Sequence, residues 1–403
     1  MQPWSEVEVP RLGASISDFQ VFDSKSAKLK SLPTSGEVQL YVCGITPYDA
    51  THMGHAATYV AFDTLHRFWR AIGTEVDYAQ NITDIDDPLL ERAKLTGRPW
   101  QEIATEQTFL FKTDMEALRV IPPQNYIGVV EAMELIEQSV VELKDSNVAY
   151  QVDSDLYFDM NNTDLLGSIC HLSTPEMLDI FAQRGGDPQR AGKRNPFDAL
   201  LWRGQQGDDP SWPSELGPGR PGWHIECSAI ATHFLGPQIT VQGGGSDLKF
   251  PHHEMSAAHA ESLTGAAPFA QAFMHAGMVS LDGEKMSKSL GNLVFVSKLR
   301  ASGADPMAIR LVLLSHHYRS DWEWFDSELE IATQRLATWR QAFKSQLGAS
   351  SPLAGMVIRL GNDLDTPGSI ELVDKWAAET LSGNASEPTA SVSTAVDALL
   401  GII

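Results

Sequence analysis

The chain has 403 residues, 43% hydrophobic and 20% charged, the balance of a globular protein with room for two or three domains. Its 30 basic residues against 52 acidic ones give a formal net charge of -22, which disfavours a long nucleic-acid partner, because neutralising many phosphates needs a basic face. No apolar run reaches the roughly 20 residues that span a bilayer, the opening MQPWSEVEVPRLG lacks the regions of a signal peptide, and Cys43, Cys170 and Cys227 are too few for a disulfide framework; a cytoplasmic protein with free thiols and no membrane partner is expected.

Residues 1–36 show little regular pattern and are expected to form a leading arm. Residues 38–42, VQLYV, predict a short strand that ends at Cys43-Gly44. Beyond the turn His52-Met53-Gly54-His55, HAATYVAFDTLHRFWRAIG has helical apolar spacing and stops at Gly73. EVDYAQNIT alternates as a strand and runs into the acidic turn Asp84-Ile85-Asp86-Asp87-Pro88. Strand, crossover helix and strand make a βαβ unit, which implies a parallel sheet covered by helices. The next strand candidate of this kind lies at 238–242. The predicted fold is therefore α/β: a Rossmann-like, doubly wound parallel sheet with an inserted connective domain and a C-terminal helical domain. The expected divisions are catalytic halves at 37–94 and 201–295, an insert at 95–200, and a helical region at 296–403.

Two short motifs carry chemistry. His52-Met53-Gly54-His55 falls at a helix start, where unpaired N–H groups and the helix dipole favour an anion, and its imidazoles can donate to phosphate oxygens. Lys285-Met286-Ser287-Lys288-Ser289, between Gly283 and Gly291, offers two ammonium groups to a departing pyrophosphate. Either alone reads as a surface turn or a solvated basic loop; together, in a split βαβ sheet, they point to adenylate formation from MgATP.

The pair resembles the two signatures of class I aminoacyl-tRNA synthetases, from about Val38 to Phe343, and YVCG, GWHIECS and FPHHE narrow the resemblance to the cysteinyl branch. The resemblance implies one Zn²⁺ on Cys43, Cys227 and His252, which would bind the substrate thiol; read without it, the cysteines are simply buried thiols. A further glutamate ligand of the family corresponds here to Ser256, so three ligands are expected. It also implies catalytic roles for His52, His55, Lys285 and Lys288. Cys43, Gly44, Ile45 and Thr46 are expected to line the adenylate, Thr58 to face the amino acid, and Asn81, Ile82 and Thr83 to end the second strand. Trp223 is expected to flank the cysteine pocket, Gly245, Ser246 and Asp247 to meet the ribose, and the Val279 backbone to meet adenine.

Gln183-Arg184-Gly185-Gly186-Asp187-Pro188 resembles the ERGGDP signature of the mycothiol cysteine ligases, with Gln183 in place of Glu. After residue 350 only Arg359 and Lys375 are basic, against Asp363, Asp365, Glu371, Asp374, Glu379, Glu387 and Asp397, a poor platform for tRNA. The expected partners are L-cysteine, ATP and glucosaminyl-inositol, whose amine would take the activated cysteine; no tRNA is expected, and the chain is expected to be a monomer. His253, Asp84 and Asp247 are candidates for the base of that step. The competing readings are a cysteinyl-tRNA synthetase and a zinc-binding relative without catalysis.

Overall fold

The computed structural model describes the chain except for Asp282, residues 286–292 and Ala385, and describes only the main chain of Glu284 and Lys285. Strands β1 (Phe19–Asp23) and β2 (Lys28–Leu32) pair as an antiparallel hairpin inside the expected arm. Phe19, Val21 and Asp23 point inward, and the Asp23 carboxylate accepts from Ser26 N at 3.0 Å to close the turn. A five-residue alternation is too short to stand out in the sequence.

The predicted βαβ unit is present as β3 (Glu37–Val42), α1 (Met53–Ala71) and β4 (Glu75–Ile82), with the strands parallel. Helices α2 (Asp87–Thr96) and α3 (Trp100–Ala117) then lead to β5 (Asn125–Gly128), which runs parallel to β4. The sheet is therefore interrupted after β5, not after β4. The four residues NYIG carry too little pattern to be recognised as a strand.

Helix α4 (Met133–Asp145) precedes a four-stranded antiparallel sheet of β6 (Ala149–Val152), β7 (Asp155–Phe158), β8 (Ala199–Gly204) and β9 (Gly219–Pro221). Helix α5 (Thr174–Gln183) lies between β7 and β8. Helix α6 (Trp223–Leu235) returns the chain to β10 (Ile239–Gly245), followed by α7 (Glu254–Thr264) and β11 (Ala270–Ala276). The main sheet has the order β11-β10-β3-β4-β5, all parallel, so the winding direction reverses between β3 and β10. A reversal of this kind leaves a crevice beyond the carboxyl ends of the two strands, where open α/β sheets bind ligands.

Beyond the sheet, β12 (Val279–Leu281) pairs with β13 (Glu284–Lys285) and with β14 (Trp322–Glu323). The remainder is helical: α8 (Val296–Ala301), α9 (Pro306–Leu314), α10 (Asp326–Phe343), α11 (Leu353–Gly361), α12 (Thr366–Leu381) and α13 (Thr389–Leu400). This region folds back on α1. Buried Arg310 donates to Leu400 O at 2.6 Å and, with Arg67, pairs with buried Asp63 of α1. Among the described residues no helix is long and apolar enough to cross a membrane.

Candidate active site

Cys43 follows the last residue of β3, and its N–H donates to Gly243 O of β10 at 3.1 Å, so it sits where the winding reverses. Helix α6 brings Cys227, and the turn before α7 brings His252. The possible ligand atoms of these three buried residues lie within 4.8 Å of one another, and they form a potential metal-holding group among the described residues. Cys227 Sγ is 3.1 Å from His252 Nε2, while His252 Nδ1 is 3.1 Å from His224 Nδ1. The Trp223 indole stacks on the His252 ring, with centroids 4.3 Å apart, which fixes the ring plane.

Burial pushes the Cys227 thiol up, but hydrogen bonds with Cys43 and His252 and the His252 charge outweigh it, holding Cys227 well below the usual thiol range. Burial and the neighbouring Cys227 push Cys43 well above it. Two cysteine sulfurs and a ring nitrogen form a soft-to-borderline donor set that fits Zn²⁺, and three ligands leave one position open. Ser256 does not join the set: its hydroxyl accepts from Gln242 Nε2 at 3.0 Å and donates to His253 O at 3.3 Å.

Behind Cys43 lies a buried run the sequence did not suggest. Cys43 Sγ is 3.2 Å from His253 Nε2, His253 Nδ1 is 2.8 Å from His275 Nε2, and His275 Nδ1 is 2.8 Å from Ser24 Oγ. Burial holds His253 and His275 well below the ordinary imidazole value, so both are neutral. Both nitrogens of His253 are engaged, which removes it from the candidate bases.

Around the loop after Cys43, Asn81 at the end of β4 accepts from Gly44 N at 2.8 Å and from Tyr41 Oη at 3.1 Å, and donates to Thr83 Oγ1 at 3.1 Å. Gly44 is required, since a Cβ there would stand 1.7 Å from Asn81 O. Ile45 O accepts from Thr83 N at 3.0 Å and Thr46 O from Tyr48 N at 2.9 Å, while Ile82 is buried in the sheet. Tyr59 Oη also supports the loop, donating to Cys43 O at 3.0 Å.

His52 caps α1, its Nδ1 accepting from Gly54 N at 3.1 Å, and the His52 and His55 rings stack 3.8 Å apart. Thr58 lies one turn on, and a Cβ on Gly245 would be 3.7 Å from Thr58 Oγ1, so α1 faces the end of β10 across the crevice. Ser246 and Asp247 form a short 3-10 turn directly after Gly245. Val279 is buried at the start of β12. The main chain of Lys285 pairs with Ser280, and Lys288 lies outside the described residues. The segment that follows is tied to the histidine turn, with Met53 N donating to Val294 O at 2.9 Å and Val296 N to Thr51 O at 3.1 Å.

Residues 30–334 match the family of class I (C) tRNA synthetase catalytic domains. Over the whole of both proteins the chain is 51% identical to the L-cysteine:1D-myo-inositol 2-amino-2-deoxy-alpha-D-glucopyranoside ligase of Thermomonospora curvata and 53% identical to that of Kribbella flavida. Among solved structures, Mycobacterium tuberculosis methionyl-tRNA synthetase in complex with methionyl-adenylate superposes with a TM-score of 0.65, covering 91% of this chain and 88% of that one. At 15% identity that likeness bears on the fold alone. The chain belongs to the class I cysteinyl-tRNA synthetase family, in its mycothiol cysteine ligase branch, and is a ligase.

Proposed function

We propose that the chain activates L-cysteine with MgATP as cysteinyl-adenylate and passes the cysteinyl group to the amine of glucosaminyl-inositol, releasing pyrophosphate and then AMP. The observation that carries this reading is the buried Cys43, Cys227 and His252 set at the reversal of the sheet, beside the histidine turn. Zn²⁺ on these ligands would take the substrate thiolate, a donor that serine lacks. In the first step a cysteine carboxylate oxygen attacks the α-phosphorus, and the bond from that phosphorus to the α,β-bridging oxygen breaks, so that the β- and γ-phosphates leave together as pyrophosphate. His52 and His55 donate to the phosphate, and Lys285 and Lys288 neutralise the departing pyrophosphate. Positioning and charge suffice, so no protein nucleophile is needed.

In the second step the neutral amine attacks the adenylate carbonyl, AMP leaves with the bonding electrons, and the nitrogen gives up a proton. Asp84 and Asp247 remain as candidate bases. Burial raises the Asp84 carboxyl above the usual carboxylate range, partly opposed by Val130 N, which donates to its Oδ1 at 2.9 Å. The purified protein is expected to catalyse cysteine-dependent ATP–pyrophosphate exchange and, with glucosaminyl-inositol, to yield the cysteinyl amide by mass spectrometry with one AMP per amide. Formation of cysteinyl-tRNA at a comparable rate would establish the synthetase reading instead, and an absence of exchange would leave the non-catalytic one.

A further inference from the structure

We propose that Arg184 is a positioning residue for nucleotide binding, through which the segment QRGGDP sets the main chain between Asp247 and His252. The proposal rests on the adenylate site described above. Arg184 is the C-cap of α5. After it the backbone must turn sharply: Gly185 has φ +83°, and Gly186 N donates back to Phe181 O at 2.9 Å. A Cβ on Gly186 would lie 2.6 Å from the Phe181 ring, so the two glycines let the chain close flush over the helix end. Asp187 pins the far side, accepting from Tyr157 Oη at 2.5 Å and from Lys193 Nζ at 2.9 Å. Every member of the segment from Arg184 to Asp187 thus serves a rigid bracket.

From that bracket the Arg184 guanidinium reaches the turn between β10 and α7. Its Nη1 donates to both Asp247 O and Phe250 O. The first carbonyl belongs to the residue expected at the ribose, and the second lies two residues before the metal-site histidine. An aromatic run makes the apolar half of the same contact: Phe181 packs on Phe197 with centroids 5.9 Å apart, and Phe197 on Phe250 at 6.0 Å. A permanently charged donor gripping two main-chain acceptors fixes the carbonyl directions, and with them the starting direction of the Asp247 side chain. A bridge needed only for cohesion could have ended on any carbonyl of the insert's neighbours; this one ends on the nucleotide turn.

The test replaces Arg184 in the full chain. R184A is expected to raise KM for ATP in the exchange assay about tenfold or more with kcat nearly retained, and to weaken binding of a non-hydrolysable ATP analogue by a similar factor. R184K keeps the charge and an N–H donor group but loses the planar guanidinium fork, and is expected to fall between R184A and the wild type. Wild-type ATP affinity in R184A overturns the proposal, even if its thermal midpoint falls, because the residue would then only hold domains together. If R184A does not fold, R184K decides: weakened analogue binding supports the proposal and wild-type binding overturns it. Analogue binding requires no cysteine chemistry, so an absence of exchange in the wild type counts against the proposed function and leaves this measurement decisive for Arg184.

Discussion

Cys227 is the thiol of the pair that, against the push of burial, hydrogen bonds with Cys43 and His252 pull below the usual range. Removing it takes away one of three donor atoms, and two ligands rarely retain Zn²⁺. Cys227→Ala is therefore expected to lose bound zinc, measured by elemental analysis, together with cysteine-dependent exchange, while ATP binding persists. A metal-free variant with full exchange would show that the set has another role. The grouping of Cys43, Cys227 and His252 was expected from the family resemblance and not from spacing, because residues so far apart in the chain carry no local metal signature. The supporting run from His253 through His275 to Ser24 was not, because those side chains meet only after β1 and β11 come together in the fold. The same holds for Asn81, whose place beside Gly44 depends on strand register.

At the scale of elements, α1 joins the histidine turn at its start to the C-terminal helices at its middle. Asp63 is fully buried between Arg67 and Arg310; burial alone would raise its carboxyl, but the two guanidinium groups hold it below the usual range. Three residues further on, burial pushes His66 down to about 3, partly opposed by Asp63 and reinforced by Arg70 and Arg67. The unfolded chain takes up a proton on this ring below about pH 6.5, while the folded chain refuses it until about 3. Stability is thus complete above 6.5 and declines as pH falls through that window, by up to about 1.4 kcal/mol per pH unit from this group. His66→Phe, which keeps a ring against Tyr78, is expected to flatten the dependence of urea-unfolding free energy on pH between 6.5 and 5 by up to one proton. An unchanged slope would show that His66 is not excluded from protonation. Helix α1 and strand β4 were readable because their periodicities are long, and β3 because it is apolar-rich and stops at Cys43-Gly44; β5 and the β1–β2 hairpin escaped because short strands take their identity from their partners.

For the molecule as a whole, the acidic C-terminal region has two kinds of carboxylate, and the distinction bears on the expectation that it does not bind tRNA. Asp363 accepts from Phe22 N and Tyr318 Oη at 2.8 Å each and from Arg319 Nε at 2.6 Å, so it fastens α11 and α12 to the β1 hairpin and to the end of α9. Asp374 accepts from Trp339 Nε1 at 2.7 Å and Arg335 Nε at 3.0 Å, and Asp397 pairs with Arg119 at 2.6 Å. Asp363 and Asp397 thus dock the region against the rest of the chain, while Asp374 ties α12 to α10 within it. Glu371, by contrast, is exposed on α12. If the acids act chiefly as anchors, Asp363→Ala should cost about 2–4 kcal/mol by leaving a half-buried N–H, a half-buried hydroxyl and the Arg319 guanidinium without their acceptor. Glu371→Lys should shift stability by no more than about 0.5 kcal/mol. Neither change should create tRNA binding at physiological salt, since one altered charge leaves the total far from the basic face that phosphate contacts need. The checks are urea midpoints for both variants and a filter-binding titration with bulk tRNA. A neutral Asp363→Ala would mean that the helices dock through apolar packing alone, and tRNA retention by Glu371→Lys would mean that surface repulsion is what excludes it.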